Sequence, residues 1–190
     1  MTLSLPVSDD ANALLSRSPL ALLIGMLLDQ QVTIEKAFSS PAVLVERLGH
    51  EPEVSEIAGF APEALAAIFS QPPALHRYPR AMAARVQDLC RLIMERYDGD
   101  AEQVWAGAKT GAELLKQVAG LPGFGAQKAQ IFVALLGKQL GVRPRGWREA
   151  AGPFGDRAAY RSVADIVDAK SLARVRAHKQ QMKAAAKAGA

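Results

Sequence analysis

Cysteine is almost absent from this chain, with one thiol, Cys90, in 190 residues. A single cysteine excludes an internal disulfide and a cysteine-ligated iron–sulfur cluster. Its neighbours Val86, Leu89 and Ile93 recur at helical spacing, which predicts a buried core thiol. Histidine is scarce too, and His50, His76 and His178 are scattered without metal-ligand spacing. Bilayer-spanning apolar runs are missing: Leu20 to Leu28 is interrupted by Gly25 and ended by Asp29. The N-terminus has no basic stretch leading into an apolar core, so a cytoplasmic chain without a membrane partner is the expectation. Alternating β-branched runs are absent as well. Ala, Leu, Gln, Arg and Glu dominate instead, and they predict an all-α class.

Acidic residues disappear after Asp168, while Lys170, Arg174, Arg176, Lys179, Lys183 and Lys187 follow. Arg143, Arg145, Arg148, Arg157 and Arg161 stand just ahead of them. The net charge of +4 therefore rests on a basic C-terminal third, the sign that a phosphate backbone attracts. A solvated helix end is the plainer account of the same run.

Periodicity predicts a helix from Pro19 through Leu28 to Gln31, and another from Pro41 to Leu48. Short helices follow at Val54–Ile57 and Pro62–Phe69, then a long amphipathic one from Tyr78-Pro79 to Tyr97, closed by Asp98-Gly99. Thr110 and Glu113 have capping-box spacing. Gly141 to Gly155 is rich in Arg, Gly and Pro around Trp147, a core tryptophan or a base-stacking one, and Ala150 to Gly155 reads as loop. A last helix carries Leu172, Val175 and Met182 as an apolar stripe beneath its basic face. No internal repeat or low-complexity linker divides the chain.

The most informative stretch runs from Leu121 to Ala129: Leu-Pro-Gly-Phe-Gly-Ala-Gln-Lys-Ala. It separates a short helix ending near Gly120 from an apolar-periodic one through Ile131, Phe132, Leu135 and Leu136. Such a corner presents unpaired N–H groups and a helix N-terminus, and so favours an anion. Gly123 and Gly125 can take positive φ and admit a phosphate close to the backbone. A plain helix–helix turn is the alternative for a bare Gly-x-Gly.

The whole string resembles the hairpin of the helix-hairpin-helix (HhH-GPD) superfamily of DNA glycosylases, which includes endonuclease III and the alkyladenine glycosylases. The likeness extends over roughly Leu20 to Leu140, through the glutamine-ended early helix and the long helix closed by Tyr97-Asp98-Gly99. It implies an all-α, two-lobed fold in a single unit spanning residues 1–190. A helical-bundle lobe comprises 20–125, and 1–19 with 126–190 form the other. It also implies a monomer that grips double-stranded DNA through the hairpin, with Leu121, Gly123, Gly125, Gln127 and Lys128 at the contact and Gln31 filling the gap left by a flipped base. The resemblance further implies a K⁺ or Na⁺ ion held by the carbonyls of Ala119, Leu121 and Phe124, with no other cofactor.

Two departures bear on chemistry. Lyase-active relatives carry a lysine where this chain has Gln127, and Lys128 comes one residue later, about 100° round the helix. Lys128 is therefore expected to face phosphate, and a monofunctional glycosylase without lyase activity is the expectation. The family's aspartate, some eighteen to twenty residues beyond the lysine position, is missing from Arg143 to Glu149. Glu149 and Asp29 are the candidate catalytic carboxylates. A DNA-binding protein that keeps the hairpin without catalysis is the alternative, and a protein-interaction domain a weaker one.

Overall fold

A computed structural model describes residues 3–157 and 159–188. Residues 1–2, 158 and 189–190 of the expected 1–190 unit lie outside the described residues. Among the described residues the fold is all-α, with no strand and one isolated bridge between Thr110 and Arg145. The helices are α1 (Asp9–Arg17), α2 (Pro19–Leu28), α3 (Ile34–Leu48), α4 (Val54–Gly59), α5 (Pro62–Ser70) and α6 (Pro79–Tyr97). Then come α7 (Gln103–Ala106), α8 (Gly111–Ala119), α9 (Ala126–Gln139), α10 (Trp147–Ala150) and α11 (Ala169–Ala188). Two 3-10 turns, Gly152–Phe154 and Val163–Asp165, sit between α10 and α11.

Ser18 serves two helices at once. Its N–H closes α1 on the Leu14 carbonyl, and its hydroxyl accepts from Ala21 N–H to start α2 (3.3 Å). Every residue of α2 from Leu20 to Leu28 is buried, so this helix is the axis of the core. Gly25 is what lets α3 close on it: a Cβ there would come within 2.9 Å of the Phe38 ring. α1 and α3 pack on α2, while α4 and α5 pack on α6.

Two boundaries depart from the sequence expectation. The helix from Pro19 stops at Leu28, because Asp29 leaves helical geometry and Gln31 turns to φ 57°. The next helix begins at Ile34, not Pro41. Thr33 caps it through Lys36 N–H (3.2 Å), and the burial of Ala37 and Phe38 outweighs the cost of an internal proline. Glu113 likewise completes its cap one residue early, accepting from Lys109 N–H (2.9 Å) while Thr110 accepts from Glu113 N–H.

On either side of the hairpin, α8 and α9 pack on each other, and α10 rests on both. Ala150, expected to open a loop, thus ends α10, and Gly152–Phe154 of the same stretch forms a 3-10 turn. Trp147 drives this, its ring lying where a Cβ on Gly137 would fall within 2.4 Å of it. Trp147 is buried, with the Arg148 guanidinium stacked 4.3 Å from its ring centre, so the core reading holds. One apolar cluster runs from Leu3 to Val175, and the boundary expected at Gly125 falls within the packed α8–α9 pair.

The final helix is anchored mainly at its start. Ser171 and Val175 are buried, whereas Met182, expected on the same covered stripe, is 58% exposed. A buried ion pair, Lys138 Nζ to Asp165 Oδ1 at 2.5 Å, pins the preceding 3-10 turn to α9. Further along α11, Arg176 pairs with Glu35 in the first turn of α3.

Candidate functional site

The hairpin is locked from below and open above. Leu121 and Phe124 are buried, and Phe124 meets Phe132 edge-to-face at 5.7 Å. The turn closes through Phe124 N–H to the Leu121 carbonyl (3.1 Å). Above it, the N–H groups of Gly123, Gly125, Ala126, Gln127 and Lys128 have no acceptor among the described residues. These five amides and the α9 dipole form an anion seat. Only Gly123 needs its freedom of φ, at 81°; Gly125 sits at φ −67°, correcting the expectation that both glycines serve by positive φ. Gly125 serves by openness, since a Cβ there would meet nothing within 4 Å.

The carbonyls of Ala119 and Phe124 accept no hydrogen bond from the described residues, and that of Leu121 accepts one. Oxygen-only donors with free lone pairs suit a hard monovalent cation.

Lys128 does not face outward as expected. Its Nζ donates to the Leu27 carbonyl at 2.9 Å, reaching from the first turn of α9 to the last turn of α2. The end of α2 supplies the reason: its final carbonyls have no intrahelical partners, and a cation is favoured there. Gln30 Nε2 shares the same oxygen at 2.7 Å. Burial pulls the Lys128 ammonium down to about 8, against the attraction of Asp29.

Asp29 is the C-cap of α2 and half-buried. Burial pushes its carboxyl above the usual carboxylate range, while Lys179 and then Lys128 pull it back. Its carboxylate accepts no hydrogen bond from the described residues, which leaves it free for a substrate. Opposed shifts at neighbouring, partly buried groups mark a functional-site candidate.

His76 braces this corner. It is buried, and its Nδ1 accepts from Tyr78 N–H (3.0 Å), so its Nε2–H must donate to the Gln30 carbonyl (2.9 Å). Burial lowers its pKa, consistent with that neutral tautomer. Arg85 Nη1 donates to Gln30 Oε1 (2.9 Å). Gln30 is thus clamped, and the next residue, Gln31, projects exposed from the α2–α3 turn. Sequence reading overlooked Gln30, His76 and Arg85, since nothing local marks a clamp built from α2, the α5–α6 loop and α6.

Glu149 stands apart from this group. It is exposed on α10, whose Trp147 packs on Gly137, roughly 13 Å along the α9 axis from Lys128. Gln127 is exposed on the first turn of α9, where it faces a cavity beneath α11. The fold thus sets Lys128 near Asp29, with Gln127 on the same turn of α9 as Lys128, and leaves Glu149 elsewhere.

Free amides on a helix-hairpin-helix, beside a carboxylate that ends a wholly buried helix, suit a phosphate with an acid close by. The family model of the HhH-GPD superfamily base excision DNA repair protein matches residues 24–189, and the chain belongs to that superfamily. The superfamily is one of DNA-binding base excision repair glycosylases. No curated protein and no solved structure matches the chain significantly.

Proposed function

We propose that this protein is a monofunctional DNA glycosylase acting on a base flipped out of duplex DNA, with Asp29 as its catalytic carboxylate. The observation that carries the reading is the Lys128–Leu27 hydrogen bond, which ties the phosphate seat to the carboxylate-bearing end of α2. A phosphate held on the free amides brings its nucleotide beside Asp29, and Gln31 on its exposed turn fills the vacated stack. The N-glycosyl bond breaks with its electron pair leaving on the base. Water adds to the sugar carbon, and its proton passes to Asp29. The fixed negative charge stabilises the sugar cation in between. Glu149, remote from the hairpin, is the weaker candidate. The carbonyls of Ala119, Leu121 and Phe124 would hold a monovalent cation, which would supply positive charge for the same phosphate. The protein acts as a monomer in the cytoplasm on this reading.

Base release from a panel of modified duplexes, with and without alkali, tests it. Hydrolysis leaves an abasic strand intact until alkali is added. Asp29→Asn should lower the release rate by about 100-fold or more, in the range for removing one electrostatic stabiliser. Glu149→Gln should stay within about twofold of wild type. Strand cleavage without alkali, or a borohydride-trapped adduct at Lys128, overturns the monofunctional reading. Salt-sensitive binding without turnover on any duplex leaves a DNA-binding protein instead.

A further inference from the structure

On the reading that this chain excises bases, we propose that a cavity beside the hairpin receives the flipped base. We infer that it selects neutral, carbonyl-bearing bases over cationic alkylated ones. The cavity, about 570 Å³, opens between α9, the turn Gly152–Phe154 and α11. Pockets for molecules of nucleobase size and larger fall in this range. Gln127 and Ile131 line it from α9, Phe154 from the turn, and His178 and Lys179 from α11. Gln127 belongs to the same first turn whose amides form the anion seat, so a nucleotide held there has its base at this wall. Lys179 also acts electrostatically on Asp29, which ties the cavity to the carboxylate.

The lining charges point to one class of base. Arg161, His178 and Lys179 are its ionisable groups, and no carboxylate lines it among the described residues. Arg161 is held by its Nη1, which donates to the Pro153 carbonyl (3.4 Å) and lies 3.8 Å from Asp156 Oδ2. Its other N–H groups remain available as donors. A base with fixed positive charge is repelled here, since binding such a cation calls for carboxylates or the faces of Trp, Tyr or Phe, and among the described lining residues only Phe154 is of that kind. A base presenting carbonyl oxygens meets the Gln127 amide, the Arg161 guanidinium and the Lys179 ammonium. Deaminated and oxidised bases are of this kind.

The experiment compares five duplexes by fluorescence anisotropy: undamaged, and with hydrolysis-resistant 2′-fluoro nucleotides of uracil, hypoxanthine, 8-oxoguanine or 7-methylguanine. Hydrolysable counterparts report base release in parallel. Wild type should bind at least one carbonyl-bearing lesion about tenfold tighter than undamaged DNA, the worth of one charge-assisted hydrogen bond. Arg161→Gln removes a donor, and Met182→Trp fills the cavity from an exposed position that the core does not need. Both should weaken lesion binding more than binding to undamaged DNA, and so abolish the preference. The proposal is overturned by a preference for 7-methylguanine, by equal affinity of wild type for all five duplexes, or by a preference that survives both variants. Equal weakening on every duplex in Arg161→Gln also overturns it, because that marks a phosphate contact. Lesion preference without base release supports the cavity assignment and defeats the glycosylase reading alone.

Discussion

Asp29 and Lys128 each carry a charge that burial disfavours, and each partly restores the other. Removing one partner therefore moves the remaining one further. In Asp29→Asn, the Lys128 pKa should fall below its value of about 8, as the attraction that raises it is gone. Lysine side-chain NMR titration reads this directly, and an unchanged value would mean the two groups do not interact. The pair also shapes the pH profile of activity. Asp29 must be ionised, so its acid limb should lie above the usual 3.8. Loss of the Lys128 charge near pH 8 weakens its bond to the Leu27 carbonyl, which ties the hairpin to α2, so activity should fall again there and Lys128→Arg should remove that alkaline limb. His76 gives a third handle. Its folded pKa lies below 6.5, so the unfolded chain binds more protons as pH falls through 6.5. Stability is complete above that value and declines below it. His76→Gln should flatten this dependence in thermal melts between pH 5 and 7.

The hairpin separates two kinds of glycine. Gly123 holds φ 81°, and a Cβ there would press on Leu27 at 3.4 Å, so Gly123→Ala should cost about 1–2 kcal/mol in denaturant unfolding. Gly125 has ordinary backbone geometry and open space around it. Gly125→Ala should therefore leave stability within about 0.5 kcal/mol of wild type. Its methyl group would nonetheless stand over the free amides, and DNA affinity should drop severalfold in anisotropy titrations. Unchanged affinity would show that the amides of the first α9 turn hold no phosphate. Element boundaries were legible where capping chemistry is local, as at Pro79, Asp98-Gly99 and Thr110. They were misread at Pro41 and Gln31, where the packing of Ala37 and Phe38 and the clamp on Gln30 override local preference.

Across the whole molecule, the basic C-terminal helix runs from its buried anchors at Ser171 and Val175 over to α3, where Arg176 pairs with Glu35. The lysines and arginines beyond the anchors are solvent-facing, and on the proposed reading they share electrostatic DNA binding with the hairpin amides. The logarithm of affinity should fall linearly with the logarithm of salt concentration, with a slope of roughly −3 to −5 if three to five phosphates are engaged. A flat dependence would remove the backbone-gripping role.

The order Leu121 to Lys128 was enough by itself to indicate a helix-hairpin-helix turn and a superfamily, because a turn and a helix start are made by residues adjacent in the chain. A single cysteine was enough to exclude a cysteine-ligated cluster. The direction of Lys128 was decided only in three dimensions, since its partner, the Leu27 carbonyl, lies 101 positions away. The same holds for the clamp of His76 on Gln30, the pull of Lys179 on Asp29, and the cavity that α11 closes over Gln127. Their energies depend on distance and burial, and neither quantity exists until helices far apart in the chain have packed.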